Sequence, residues 1–143
     1  MFNNQTAIEE DRNRYRKCAG RFSVSYMSNT KWRRVFNAIA DSGITLLRSE
    51  WKHIDSDYIT MHVRMPHHND VSETRFNDGP FQPYEYKWIE WIRFPFSYYD
   101  AFHQITRNQD LRLLETTLAM CGAVRVVTTE DYIALIAYDT PSS

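Results

Sequence analysis

Eleven of the 28 residues from Arg75 to Phe102 are aromatic, in the stretch RFNDGPFQPYEYKWIEWIRFPFSYYDAF. An aromatic side chain has roughly 150–250 Å² to hide from water. A segment this dense is therefore either the folding centre of a domain or a surface that a partner covers. The chain of 143 residues is long enough to bury a core of its own as one domain. It holds two cysteines, Cys18 and Cys121, in no CxxC pattern, which points to a reduced compartment and no disulfide framework. Met1 leads into FNNQTAIEED, which lacks the basic flank and apolar core of a signal peptide. No apolar run reaches membrane-spanning length. The expected setting is the cytoplasm, without membrane contact.

Hydrophobic periodicity predicts the elements. Thr6-Ala-Ile-Glu9 has capping-box spacing and Gly20 is a stop, so residues 1–24 are expected to hold a peripheral, largely charged helix. Trp32, Val35, Phe36, Ile39 and Ala40 recur at helical spacing between Asn29-Thr30 and Gly43. Strands are expected over 44–53 and 58–65, joined at Asp55-Ser56-Asp57. In the second, Ile59, Met61, Val63 and Met65 alternate with Tyr58, Thr60, His62 and Arg64. Pro66 to Pro83 is the longest irregular stretch. Residues 84–94 read as a strand apolar on both faces, covered twice or bulged near Trp88. Helical stretches are expected at 98–106 and after Asp110, the latter with a Leu111, Leu114, Leu118 stripe ending at Gly122. Strands over 124–128 and 132–138 close the chain, with a disordered tail over 139–143. The whole reads as a single α+β domain: a mostly antiparallel sheet of about five strands with helices packed on it.

The residues that carry chemistry fall short of catalytic patterns. His67-His68-Asn69-Asp70, with His62 nearby, has the residue types of a metal site but not the spacing, and no HExxH or cysteine pair completes it. Solvated loop histidines are the plainer reading, so no metal and no cofactor is expected. A metal-dependent enzyme at this loop is the third-ranked alternative. Cys18 and Cys121 read as structural rather than nucleophilic. Glu85 and Glu90 are an odd number apart and Asp55 and Asp57 have turn-forming roles, so neither pair makes a hydrolytic site. The four glycines form no phosphate loop. The chain is expected not to be an enzyme.

Charge is divided unevenly along the chain. Residues 1–64 carry +4 and residues 65–143 carry −5. The basic set Arg12, Arg14, Arg16, Lys17, Arg21, Lys31, Arg33 and Arg34 is the nucleic-acid candidate, against the plainer reading of two solvated helix faces. The acidic second half argues against nucleic acid as the main partner. The acidic residues Asp70, Glu73, Asp78, Asp100, Glu130 and Asp131, with Phe76, Phe81, Tyr98 and Tyr99 in loose segments, make a candidate surface for a basic protein. Charge steers the encounter there and aromatic anchors hold it. Charge reversal at Asp70 or Asp78 is expected to spare folding, since both lie in the long loop. For each acidic residue alone, solubilising charge is the plainer reading.

Asn29-Thr30-Lys31-Trp32-Arg33, Trp51-Lys52-x-Ile54 and Phe76-x-Asp78-Gly79-x-Phe81-x-Pro83-x-x-Tyr86-Lys87-x-Ile89-Glu90-Trp91-Ile92 resemble a family of small bacterial domains of unknown function, over about Ser25 to Tyr138. The resemblance carries no catalytic residues. Small bacterial proteins of this size and composition are similar, as a class, to immunity proteins that neutralise toxins. The expectation is thus a protein-binding module, an immunity protein that occludes the active site of a basic toxin domain, with a nuclease as the foremost case. A nucleic-acid accessory protein is the alternative. The oligomeric state is not specified by these features.

Overall fold

The structure is a computed structural model that describes residues 4–76 and 85–139. Asp78 and Phe81, and residues 140–143 of the expected tail, lie outside the described residues, while Asp139, the first residue of that tail, is instead paired with Val24 in a strand. Among the described residues three α-helices, α1 (Asn4–Ala19), α2 (Asn29–Ser42) and α3 (Arg112–Ala119), accompany nine strands. The main sheet is built from β2 (Ser49–His53), β3 (Ile59–His62), β4 (Ile89–Pro95), β7 (Val126–Thr128) and β8 (Tyr132–Ile136) in the order β3-β2-β4-β8-β7. Every neighbouring pair in it is antiparallel. Two small ribbons stand apart: β1 (Val24–Ser25) with β9 (Tyr138–Asp139), and β5 (Ser97–Asp100) with β6 (Ile105–Asn108). The chain is an α+β protein, as its periodicity predicts. No helix among the described residues is long and apolar enough to cross a membrane.

Helix α2 forms because one face is apolar and both ends are capped. The Ser28 hydroxyl accepts the Lys31 N–H at 3.2 Å, and Gly43 ends the helix in the left-handed region at φ 73°. The N-cap is thus Ser28 rather than Asn29 or Thr30. Trp32, Val35, Phe36 and Ile39 point inward, and Phe36 is fully buried at the centre of an aromatic cluster. Its ring lies 5.3 Å from Trp32, 5.9 Å from Trp51 on β2, 5.0 Å from Phe76 and 5.8 Å from Tyr86. Helix α3 adds Leu111, Leu114 and Leu118 to the same core. Asp110 holds its start by accepting the Arg112 N–H at 3.1 Å.

Four expectations change. Residues 98–106 form the β5–β6 ribbon instead of a helix. Phe76 is a core residue rather than an exposed loop aromatic. The 84–94 strand begins only at Ile89, after a 3₁₀ turn that buries Tyr86 and Trp88. It is also covered on one face only. Ile92 and Phe94 face the core, while a bulge opposite Lys52 and His53 re-aims the chain at Glu90, and Trp91 emerges half-exposed on the other face. In β3 the expected alternation holds. Ile59 and Met61 lie on the open side, and His62 sits 5.1 Å from the Trp51 ring on the covered side.

Helix α1 is tied down by polar contacts more than by apolar area. The Tyr138 hydroxyl donates to the Lys87 carbonyl at 2.6 Å, which leaves Tyr15 to donate to Tyr138 at 2.8 Å. Arg21 donates to the Ile54 carbonyl, and Arg14 bridges to Asp55 at 3.2 Å while its guanidinium covers Trp88. Phe36 is fully buried and in ring contact with four other aromatic side chains. Phe36→Ala is therefore expected to lower the unfolding free energy by about 3–5 kcal/mol, read as a fall in the urea midpoint with an unchanged slope.

Candidate functional site: the projecting hairpin

The segment after β4 leaves the main sheet. Pro95 and Phe96 end the strand, and β5 and β6 then pair only with each other, from Ser97↔Asn108 to Asp100↔Ile105. An isolated two-stranded ribbon is marginal in water unless something braces it. Two devices do so here. At the root, the Gln109 side-chain amide uses its full bonding capacity. Its Oε1 accepts the Leu47 and Arg48 N–H groups at 3.0 and 3.1 Å, and its Nε2 donates to the Arg48 and Pro95 carbonyls at 3.1 and 2.9 Å. The Arg48 guanidinium lies 5.0 Å from the Tyr98 ring centre, packing β5 down at its base.

At the tip, Asp100 organises the four-residue loop Ala101–Gln104. Its carboxylate accepts from Arg107 Nε at 2.6 Å, from the His103 N–H at 3.1 Å, and lies 2.8 Å from His103 Nδ1. The Arg107 guanidinium, then the His103 contacts, hold the Asp100 carboxyl far below the usual carboxylate range. Gln104 closes the turn in the left-handed region at φ 55°, the conformation a four-residue hairpin loop needs near its end.

What this bracing presents is apolar. Phe102 is 89% exposed at the tip, and Tyr99 and Ile105, on opposite faces of the ribbon, are 59% and 47% exposed. The Glu130–Asp131 turn adjoins the root, where the Asp131 carbonyl accepts the Phe96 N–H at 2.9 Å. Both acidic residues are exposed. Five of the ten sequence-chosen partner residues thus gather at this end: Tyr98, Tyr99, Asp100, Glu130 and Asp131. Within that group Asp100 is committed internally and Tyr98 is half-buried, so Tyr99, Glu130 and Asp131 are the ones available to a partner.

Asp70, Glu73 and Phe76 lie elsewhere. Asp70 sits at a 3₁₀ turn (His68–Asp70), where its carboxylate accepts the His67 N–H at 2.9 Å and an Arg64 donor at 3.1 Å. Burial pushes its carboxyl up, but those two donors outweigh it and hold the group below its ordinary value. Asp70 therefore braces the loop, which revises the expectation that reversing its charge would spare folding. Glu73 is exposed beside α2, and its carbonyl is held by Arg33. Phe76 is in the core.

Most of the remaining candidate chemistries are spent on structure. Of the three basic side chains of α2, Arg34 donates to the Cys121 carbonyl at 3.2 Å, Arg33 is held by Glu73 and Thr30 and Lys31 donates to the Tyr26 carbonyl at 3.1 Å, so none stands clear for phosphate, whereas Arg12, Arg16 and Lys17 of α1 are exposed. His68 clasps the α2 side chains Asn37 and Asp41, at 2.9 and 2.5 Å. No three His, Cys, Asp or Glu residues among the described ones converge on a metal position. Burial pushes the Cys121 thiol up, and its Sγ donates to the Thr117 carbonyl. Open clefts of about 440, 500 and 530 Å³ lie between Arg14 and Asp57, beside Arg125, and between Arg12 and Glu85, and a more enclosed cavity of about 230 Å³ lies between α1, α2 and β9, smaller than the roughly 300–1,000 Å³ of ordinary ligand pockets. The Tyr15 and Tyr138 hydroxyls that line it are already engaged.

No family model, curated protein or solved structure matches this chain. Phe102 and Ile105 were not singled out by sequence reasoning, nor was Gln109. The signal was present: β-forming Tyr98, Tyr99, Ile105 and Thr106 flank the short segment Asp100–Gln104.

Two expectations follow. Gln109→Ala leaves backbone groups of residues 47, 48 and 95 without partners and should cost about 2 kcal/mol, with faster amide exchange across residues 97–108. The second concerns His53, which burial lowers from 6.5 to about 4 despite the opposing pull of Asp55. The unfolded chain binds that proton more readily, so the contribution is whole above about pH 6.5 and is lost progressively down to about pH 4. The loss approaches about 3 kcal/mol. Urea midpoints of the wild type should fall over that window, and more steeply than those of His53→Gln.

Proposed function

We propose that this chain is a protein-binding module that inhibits its partner by occlusion, with the β5–β6 hairpin as the inserting element. The observation that carries the reading is the pairing of a rigidly braced ribbon with an apolar tip. Asp100, Arg107 and Gln109 spend their polar groups holding a shape whose outermost side chain, Phe102, touches little of its own protein. Aromatic anchors of this kind concentrate binding energy when they enter a pocket, and a preordered loop loses little entropy in doing so.

The Glu130–Asp131 turn supplies negative charge beside the hairpin root and favours a partner with a basic cleft. A toxin domain that handles nucleic acid has such a cleft, and an immunity protein is the functional class that fits a small inhibitor of it. The acidic surface is smaller than the −5 of the second half of the chain suggests, because Asp70, Glu90, Asp100 and Asp110 each hold a cation of their own. Attraction at the root and apolar insertion at the tip are thus separable contributions.

The test is affinity capture from the source cells at moderate salt, run in parallel with the wild type and with Phe102→Ala, followed by native mass spectrometry. One stoichiometric protein is expected with the wild type and a loss of at least about 2 kcal/mol in its affinity with the variant. Glu130→Lys with Asp131→Lys should chiefly slow association. A partner bound equally well by all three proteins would place the interface elsewhere. Nucleic acid as the sole retained species would favour the basic helices.

A further inference from the structure

The sheet carries a second exposed apolar feature, remote in sequence from the hairpin. Among the described residues strand β3 is an edge strand, paired with β2 on one side only. Its four residues, Ile59 to His62, and their neighbours Tyr58 and Val63 include no charged residue and no proline. Met61 is 54% and Val63 75% exposed, with Ile59 and Tyr58 also open. Edge strands are normally blunted by lysine, proline or a bulge, because an unpaired ladder recruits another strand. This one has none of these over six residues. The rest of the open face is different: Glu50 pairs with Arg93 at 2.6 Å and Lys52 with Glu90 at 3.2 Å, directly beside β3. Stacking the open faces would desolvate both pairs. The edge has no such obstacle.

We infer that the β3 edge pairs with the β3 edge of a second copy of this chain, antiparallel about a two-fold axis normal to the sheet. The register is narrowly constrained. Such an axis keeps each face on its own side, so only residues of the same face can stand opposite each other. With Met61 on the axis, Met61 faces its own counterpart and Ile59 faces Val63 of the second copy on the open side. Thr60 then faces His62 on the covered side. This matches apolar with apolar at every open-face position, which is the unit of cross-strand stabilisation. It also runs the Asp57 end of each strand alongside the Arg64 end of the other, so a carboxylate comes beside a guanidinium that one of its nitrogens already ties to Asp70. A parallel pairing would set like ends together. A heterologous strand is not required by any of these features, whereas a second copy satisfies all of them.

The test uses the full chain. Sedimentation across a micromolar-to-millimolar range should show a species of twice the 17.1 kDa chain mass. Met61→Lys, at an exposed position, should leave the circular dichroism unchanged, and the thermal midpoint too at concentrations where the chain is monomeric, and weaken dimerisation at least about tenfold. Independently, Met61→Cys in a Cys18→Ser background should form a disulfide-linked dimer under mild oxidation. Opposed residues in an antiparallel ladder have Cα atoms about 4.5–5.5 Å apart, within disulfide reach. Thr128→Cys, on the other edge strand, should not. A chain that stays at 17.1 kDa throughout, a dimer indifferent to Met61→Lys, or crosslinking as efficient at residue 128 as at 61 would each overturn the inference. Phe102→Ala should leave the dimer intact, which separates this result from the fate of the hairpin reading.

Discussion

The ring of Phe36 is the contact through which the two layers of this protein become one. It lies parallel to the Trp51 ring of β2, to within 2°, and parallel to Trp32 of its own helix, to within 11°. The rings of Phe76 and Tyr86 close round it at steeper angles. Stacked and tilted aromatic pairs each add about 0.5–1.5 kcal/mol beyond the area they bury. They also set geometry, since a ring wedged between a helix and a strand fixes both the height and the rotation of the helix. The irregular loop gains its order from the same place. The Tyr86 hydroxyl reaches out of the cluster to the Ser72 and Arg75 carbonyls, at 2.7 and 3.0 Å, and accepts the Ser72 N–H. Burial holds that hydroxyl in its protonated, donating form.

With the covered face committed to this cluster, the bulge at Glu90 decides what the other face shows. One extra residue in β4 lets Glu90 reach Lys52 while Trp91 and Arg93 share the open side. Arg93 lies over the rings of both Trp91 and Tyr132, 4.6 and 5.3 Å from their centres, and also pairs with Glu50. The aromatic surplus that makes the sequence so distinctive is thereby divided. Part is sealed in the core, and part lies beneath guanidinium groups that keep it compatible with water.

This division explains what the sequence made legible. Helix α2 and the leucine stripe of α3 stand out because an apolar face repeats at 3.6 residues and both ends carry stop or start chemistry. The hairpin was hidden by a coincidence of spacing: Tyr98, Phe102 and Ile105 fall at i, i+4 and i+7, a helical pattern, although none of them enters the core. For Phe76, membership of a long loop argued for exposure, but packing against Phe36 and Trp51 overrides that local context. In β3 the alternation was plain yet carried no label for inside and outside. The apolar set would be assigned inward by default. Instead the Trp51 ring occupies the covered side and takes His62 as its edge-on neighbour. Of the candidate surface, the aromatic and acidic residue types were legible. Their grouping was not, because Glu130–Asp131 meets the hairpin only through the β4–β8 pairing.

An apolar edge strand beside a charged sheet face limits the ways this sheet can grow. Face-to-face stacking would trap the Glu50–Arg93 and Lys52–Glu90 pairs in a dry interface, where desolvation rivals their attraction. Growth at the opposite edge meets β7, only three residues long, flanked by the turn that carries Glu130 and Asp131. Edgewise addition at β3 is the remaining route. A two-fold axis there consumes the edge in each copy at once, so the assembly closes after a single addition and leaves no new edge to extend. The same arrangement that would make an exposed uncharged strand hazardous in an open sheet makes it a self-limiting interface in this one.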